Sequence, residues 1–177
     1  PIGAARSSNG YEVAFSLGGN QYIIWNIDSN GNFVHDATAA LSGSSYALQS
    51  LETTFGEDLN NDGTIGPEVT TLSSNGTITL EQVANQFELE SSTGGSGPFL
   101  SYQGSPVTAG EFGNPPLVGA AALTTGGYEI AWEDPATGQF YIWDTDANGK
   151  YVNSTLVAAA ANSLALEQAE TSFQLDL

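Results

Sequence analysis

The residues best placed to do chemistry lie in one acidic loop, Asp58-Leu59-Asn60-Asn61-Asp62-Gly63-Thr64-Ile65-Gly66. Oxygen-bearing side chains stand at its first, third and fifth positions and glycine at its sixth, the spacing of an EF-hand-type calcium loop. Calcium takes about six to eight oxygen ligands, and alternate residues of a tightly turning chain can aim Asp58, Asn60 and Asp62 at one point. Gly63 permits the sharp turn, Thr64 offers its carbonyl, and Ile65 can anchor the loop to a core. The twelfth position is Val69, where a bidentate carboxylate is expected; the nearest acid, Glu68, comes one residue early. The expected ligands are therefore Asp58, Asn60, Asp62, Thr64 and Glu68, with calcium as the cofactor. A metal-free turn rich in Asp and Asn is the competing reading.

Two further stretches show the same alternation of oxygens, Asn26-Ile27-Asp28-Ser29-Asn30-Gly31 and Asp144-Thr145-Asp146-Ala147-Asn148-Gly149. Asp and Asn favour hairpin turns without any metal, so Asp144, Asp146 and Asn148 are weaker metal candidates. Trp25, Trp143, Tyr141 and Tyr151 could form a platform for sugars, although aromatic residues at alternate strand positions more often face a core. Trp25 and Trp143 are expected to hold equivalent, mainly buried positions. Catalysis has little to work with. His35 is the only histidine and stands in a polar stretch. There is no cysteine nucleophile, Gly-x-Ser-x-Gly elbow, His-Glu-x-x-His zinc motif or phosphate-binding glycine loop. The plentiful acids leave a carboxylate-pair glycosidase open, but no motif favours one, and the expectation is no enzyme.

Composition sets the surroundings. Twenty acidic residues against only Arg6 and Lys150 give a net charge of −18. Nucleic acid is excluded as a partner on that ground, and an anionic membrane surface would repel the chain. Crowded carboxylates repel one another, a cost that bound divalent cations relieve. The chain has no cysteine, so no disulfide supports the fold. No apolar run approaches membrane-spanning length, so no membrane insertion is expected.

The elements that must position these residues come twice. Gly10-Tyr11-Glu12-Val13-Ala14-Phe15 returns as Gly127-Tyr128-Glu129-Ile130-Ala131-Trp132, and the segment from Gln21 to Gly31 returns from Gln139 to Gly149. Leu48, Glu52, Thr53, Phe55 and Asp58 match Leu166, Glu170, Thr171, Phe173 and Asp176, each 118 residues later. Duplication is the reading. Residues 1–67 form the second half of a first unit ending in the calcium-loop motif, and residues 68–177 form a nearly complete second unit. The chain is thus expected to be a piece or processed subunit of a tandem array.

Within each copy, Tyr11, Val13 and Phe15, or Tyr128, Ile130 and Trp132, alternate as on a half-buried strand. A second strand follows over Gln21–Trp25 or Gln139–Trp143. Asn30-Gly31 or Asn148-Gly149 then turns a hairpin into a third strand at Phe33 or Tyr151. Ser44 or Ser45 caps a helix carrying Leu48, Leu51 and Phe55 at helical spacing, and Ser163 caps one carrying Leu166, Ala169 and Phe173. Between the copies, a hairpin turning at Ala84-Asn85 is expected in preference to a helix through Leu80, Val83 and Phe87. The fold class is α+β, mainly antiparallel β: duplicated three-stranded meanders, each followed by a short helix and a half-EF-hand-like loop.

The order Gly-Tyr-Glu-Val/Ile-Ala-Phe/Trp, then Tyr-Ile-Trp with Asp-x-Asn-Gly, then the helix and Asp58-Leu59-Asn60-x-Asp62-Gly63-Thr64-Ile65-Gly66 resembles the tryptophan-rich C-terminal repeat of Synechocystis proteins. Residues 107–113 are similar to that family too, and the likeness runs over essentially the whole chain. Phe15 departs from it, standing where tryptophan is expected. The resemblance implies a large, secreted, often calcium-binding bacterial protein, with this chain at the extracellular cell surface. The functional expectation is an extracellular calcium-binding structural or adhesive repeat module. Its partner would be itself, as a homo-oligomer or as tandem repeats, in a head-to-tail array or filament. The alternative is a carbohydrate-binding module appended to a secreted hydrolase, with polysaccharide as partner.

Overall fold

A computed structural model describes residues 1–113 and 116–177 of the chain. They fall into two compact units, Pro1–Glu68 and Val69–Leu177. The chain is α+β and mainly antiparallel β, with two helices among the described residues.

The first unit holds β1 (Gly3–Ser7), β2 (Gly10–Gly18), β3 (Gln21–Asp28), β4 (Phe33–Asp36) and β5 (Leu41–Ser42), followed by helix α1 (Tyr46–Phe55). Its sheet runs β1-β2-β3-β4, with β5 pairing β3. Strand alternation sends Ala14, Tyr22 and Ile24 to one face, where they pack with Leu48 and Phe55 of α1 and with Leu59 beyond it. Ser45 begins α1 by accepting the N–H of Leu48, and Gly56 ends it in the left-handed conformation. Both Leu48 and Phe55 then fall on the buried stripe of the helix, and so does Glu52.

The second unit opens with β6 (Val69–Ser74), β7 (Ile78–Val83) and β8 (Gln86–Ser91), a three-stranded sheet of its own. The hairpin between β7 and β8 turns at Ala84, whose φ is 54°. A small hairpin of β9 (Ser101–Tyr102) and β10 (Ser105–Pro106) follows. Next come β11 (Leu117–Ala122), β12 (Tyr128–Asp134), β13 (Gln139–Thr145) and β14 (Tyr151–Ala160), consecutive neighbours in one antiparallel sheet. Helix α2 (Leu164–Phe173) is capped by Ser163.

This second sheet is buried on both faces. Ala121, Ala131 and Ile142 meet Phe173 of α2 on one face. On the other, Leu117, Ala120, Ile130 and Trp132 meet Ile78, Leu80, Phe87, Leu89, Leu100 and Val107. Residues 69–113 are thus a cover laid over that face. At fully buried positions such as Leu80, Leu89 and Ile130, each side chain contributes about 1.5–3 kcal/mol of burial.

Two glycines explain the Gly-Tyr-Glu signature. A side chain at Gly10 would collide with the carbonyl of Ile27, and one at Gly127 with that of Thr145. The neighbouring strand runs too close for any Cβ.

Candidate functional site

The acidic loop leaves the end of α1 and is fastened to that helix by a buried carboxylate. Glu52 is 0 % exposed. Its Oε1 accepts the N–H of Leu59 at 3.0 Å and of Asn60 at 3.3 Å, and its Oε2 accepts the N–H of Gly66 at 3.0 Å. A buried carboxylate is tolerable only when its oxygens are bonded in this way. Gln49, also buried, adds a second tie: its Oε1 accepts the N–H of Glu68 at 3.1 Å, and its Nε2 donates to Asp62 at 3.0 Å.

Inside the loop the oxygens of Asp58, Asn60 and Asp62 are drawn inward by the chain itself. Asp58 accepts the N–H groups of Asp62 at 3.1 Å and Gly63 at 2.8 Å. Asn60 Oδ1 accepts from Asp62 N–H, and Asp62 Oδ1 accepts from Thr64 N–H. The Asn60 amide donates to the Gly43 carbonyl and to Asp62 Oδ2, both at 2.7 Å. Gly63 takes φ 97°, a conformation that favours glycine. Ile65 is 54 % exposed, so Leu59, at 4 %, anchors the loop instead.

Both Asp58 oxygens, Asn60 Oδ1 and Asp62 Oδ1 each accept one such bond and keep a lone pair, whereas Asp62 Oδ2 accepts two, and a hard cation is the ligand that such a set of oxygens suits. The fit is partial. Only two carboxylates belong to the loop, Glu68 lies beyond it, and the carbonyl of Thr64 with water would have to complete the shell. Among the described residues, no three or more His, Cys, Asp or Glu side chains gather closely enough to hold a metal by themselves.

The second alternate-oxygen stretch is spread along a hairpin. Asp146 closes the turn, accepting from the N–H groups of Asn148 and Lys150 at 2.9 and 3.0 Å. Asp28 does the same with Asn30 and Asn32, and those bonds hold its carboxyl below the usual range, Asn32 contributing most. Asn148 is exposed at the turn. Asp144 lies on β13 and accepts from Thr155 at 3.2 Å and Asn153 at 3.4 Å on the neighbouring strand. It also sits directly across from Glu129. Burial first, and the Asp144 charge second, push the Glu129 carboxyl up, against a hydrogen bond from Ser172.

The four aromatic residues named as a sugar platform do not form one row. Trp25 belongs to the first unit, where it lies 4.3 Å from Phe15 and 5.0 Å, edge-on, from Phe33. In the second unit Trp143 lies 4.7 Å from Trp132 and 4.9 Å, edge-on, from Tyr151. Trp25 and Trp143 are both partly buried, as expected, and neither is exposed. Around Trp143 the cover adds Tyr102, stacked at 5.5 Å, and Phe112, edge-on at 5.3 Å. A cleft of about 410 Å³ opens there, lined by Phe112, Gly113, Trp132, Asp134, Tyr141 and Trp143. Trp132, which strand alternation placed on a half-buried strand, and Phe112, which no strand pattern singled out, complete its aromatic lining. His35, exposed, meets Asn26 at 3.0 Å.

Sheet, helix and loop of the first unit are joined through Glu52, in a chain without cysteine. The chain belongs to the family of the tryptophan-rich Synechocystis species C-terminal domain, which matches residues 2–66 and 77–177. No curated protein and no solved structure matches it. Among the described residues no helix is long and apolar enough to cross a membrane.

Proposed function

We propose that the chain is a calcium-held structural and adhesive repeat module of an extracellular bacterial protein, with the loop after α1 as its half-EF-hand-like cation site. The observation that carries this reading is the fastening of the loop by Glu52. Its three backbone bonds fix the loop's backbone before any ion arrives, so Asp58, Asn60 and Asp62 need little ordering to bind one. Calcium bound there would offset the self-repulsion of a chain with net charge −18. Two loop carboxylates and no acid at the twelfth position suit the weak affinity of extracellular modules, roughly 10⁻⁴ to 10⁻³ M.

Thermal unfolding with and without calcium tests this. Calcium at a hundredfold excess over its Kd should add about 2.7 kcal/mol to the stability of the loop's unit. Asp62→Ala should abolish that gain. An equal gain in the variant would refute the site.

The cleft of the second unit favours one other reading, a saccharide site. Its volume lies within the small-ligand range, roughly 300–1,000 Å³, and aromatic faces beside a carboxylate suit a pyranose. Trp132 adds a buried indole N–H with no partner among the described residues. Oligosaccharides that shift tryptophan emission in the wild type but not in Tyr141→Ala would favour this alternative.

A further inference from the structure

The two sheets present the same repeat positions outward, yet only one is covered. In the second unit Ile130 and Trp132 are 0 % and 4 % exposed beneath residues 69–113. Their counterparts by the repeat are Val13 and Phe15, both half-buried, with Phe33 52 % and Leu17 57 % exposed on the same sheet. None of Val13, Phe15, Ile23 or Trp25 belongs to the core beneath α1.

The face is built to be covered. Strand alternation sends Val13, Phe15, Ile23, Trp25 and Ile27 to it, and Arg6 lies over the Tyr11 ring at 5.9 Å. Across the outward positions of β1 to β3 there is no acid, and Asp36 of β4, opposite Trp25, brings one at the edge. A contiguous apolar face is the mark of an interaction surface.

The second unit shows what seats on such a face. Its cover is tied down at two places, by Asn75 donating to the Ala120 carbonyl at 2.9 Å and by Ser101 N–H donating to the Gly149 carbonyl at 2.9 Å. Both landing points recur in the first unit. Ala4 pairs with Val13 as Ala120 pairs with Ile130, and Gly31 is the counterpart of Gly149. Around Gly149 the backbone of Phe99 leaves no room for a Cβ, whereas nothing lies within 4 Å of one built at Gly31.

We propose that the outer face of the first sheet is a docking face for a cover sheet of the kind formed by residues 69–113, brought by a second copy of the repeat. The proposal rests on the repeat-module reading but not on calcium, so its test is run in chelator, where failure of the cation site has no effect. The chain contains no cysteine, so Val13→Cys supplies a single thiol on the face. Residues 69–115 are placed directly ahead of Pro1, as they stand ahead of Pro116 in the second unit.

Maleimide labelling of Val13→Cys should slow by at least about tenfold in the extended chain, because reaction then waits on opening of the cover. The added segment should also resist protease as residues 69–113 do. Unchanged labelling overturns the proposal, whether the added segment is folded or remains protease-sensitive beside the open face.

Discussion

The two units use one sheet in two ways, and the contrast separates what the sheet needs to fold from what it needs to be finished. In both, β-strands and a Ser-capped helix enclose a core on the helix side: Ala14, Ile24, Leu48 and Phe55 in the first, Ala131, Ile142, Leu166 and Phe173 in the second. In both, the helix glutamate holds the chain beyond the helix. Glu170 accepts the N–H of Leu177 at 3.1 Å, as Glu52 accepts that of Leu59. On the opposite face the units part. The second sheet meets residues 69–113, and the first meets solvent. Helix-side packing is therefore the common requirement, and the outer face is where one unit differs from the next.

That contrast predicts unequal costs for equivalent substitutions. Trp132→Ala should cost about 3–5 kcal/mol, the usual range for a buried aromatic, while Phe15→Ala at the matching position should cost under about 2 kcal/mol. Denaturant unfolding of each variant measures both. Equal costs would mean that the first face is as well packed as the second.

Next in size is the helix glutamate. Glu52→Ala strands three backbone N–H groups, so it should destabilise its unit by about 3 kcal/mol or more. Glu170→Ala, with one such bond, should cost about 1–2 kcal/mol. The same unfolding curves, followed unit by unit, decide it, and a Glu52→Ala effect no larger than that of Glu170→Ala would break the account of the fastened loop.

The smallest effect concerns a cross-strand pair that differs between the units. Glu12 faces neutral Asn26, but Glu129 faces Asp144. Burial and the Asp144 charge raise the folded-state pKa of Glu129 above its ordinary value of 4.5, so the folded chain holds that proton more tightly than the unfolded chain. Ionised Glu129 therefore costs stability, a cost absent below the ordinary value and complete above the raised one. Stability should fall as pH rises through that window. Glu129→Gln should remove this slope and stabilise the second unit at neutral pH.

Much of this architecture was legible in the residues. Strict alternation at Tyr11–Phe15 and Tyr128–Trp132, the serine caps and the Asn-Gly turns all carry local physics, and the structure has elements at each. Strands β1 and β11 were not legible, because Gly-Ala-Ala-Arg-Ser and Leu-Val-Gly-Ala-Ala-Ala have little strand propensity; pairing with β2 and β12 makes them strands. Each main sheet consequently runs through four neighbouring strands where three were expected. The function of Glu52 was hidden for another reason. Its partners lie 7 to 14 residues away in a loop whose path no local rule fixes. A charged residue on the apolar stripe of α1, repeated as Glu170, was the available clue. The cleft likewise depends on Phe112, brought to Trp143 from outside the sheet.

The claim that one sheet is covered and its counterpart open is tested most directly by methyl NMR with a soluble paramagnetic agent, on the unaltered chain at low concentration. The account predicts strong broadening of the Val13, Ile23 and Ile27 methyls and none for Ile130, which is 0 % exposed. Equal protection of Val13 and Ile130 would contradict it.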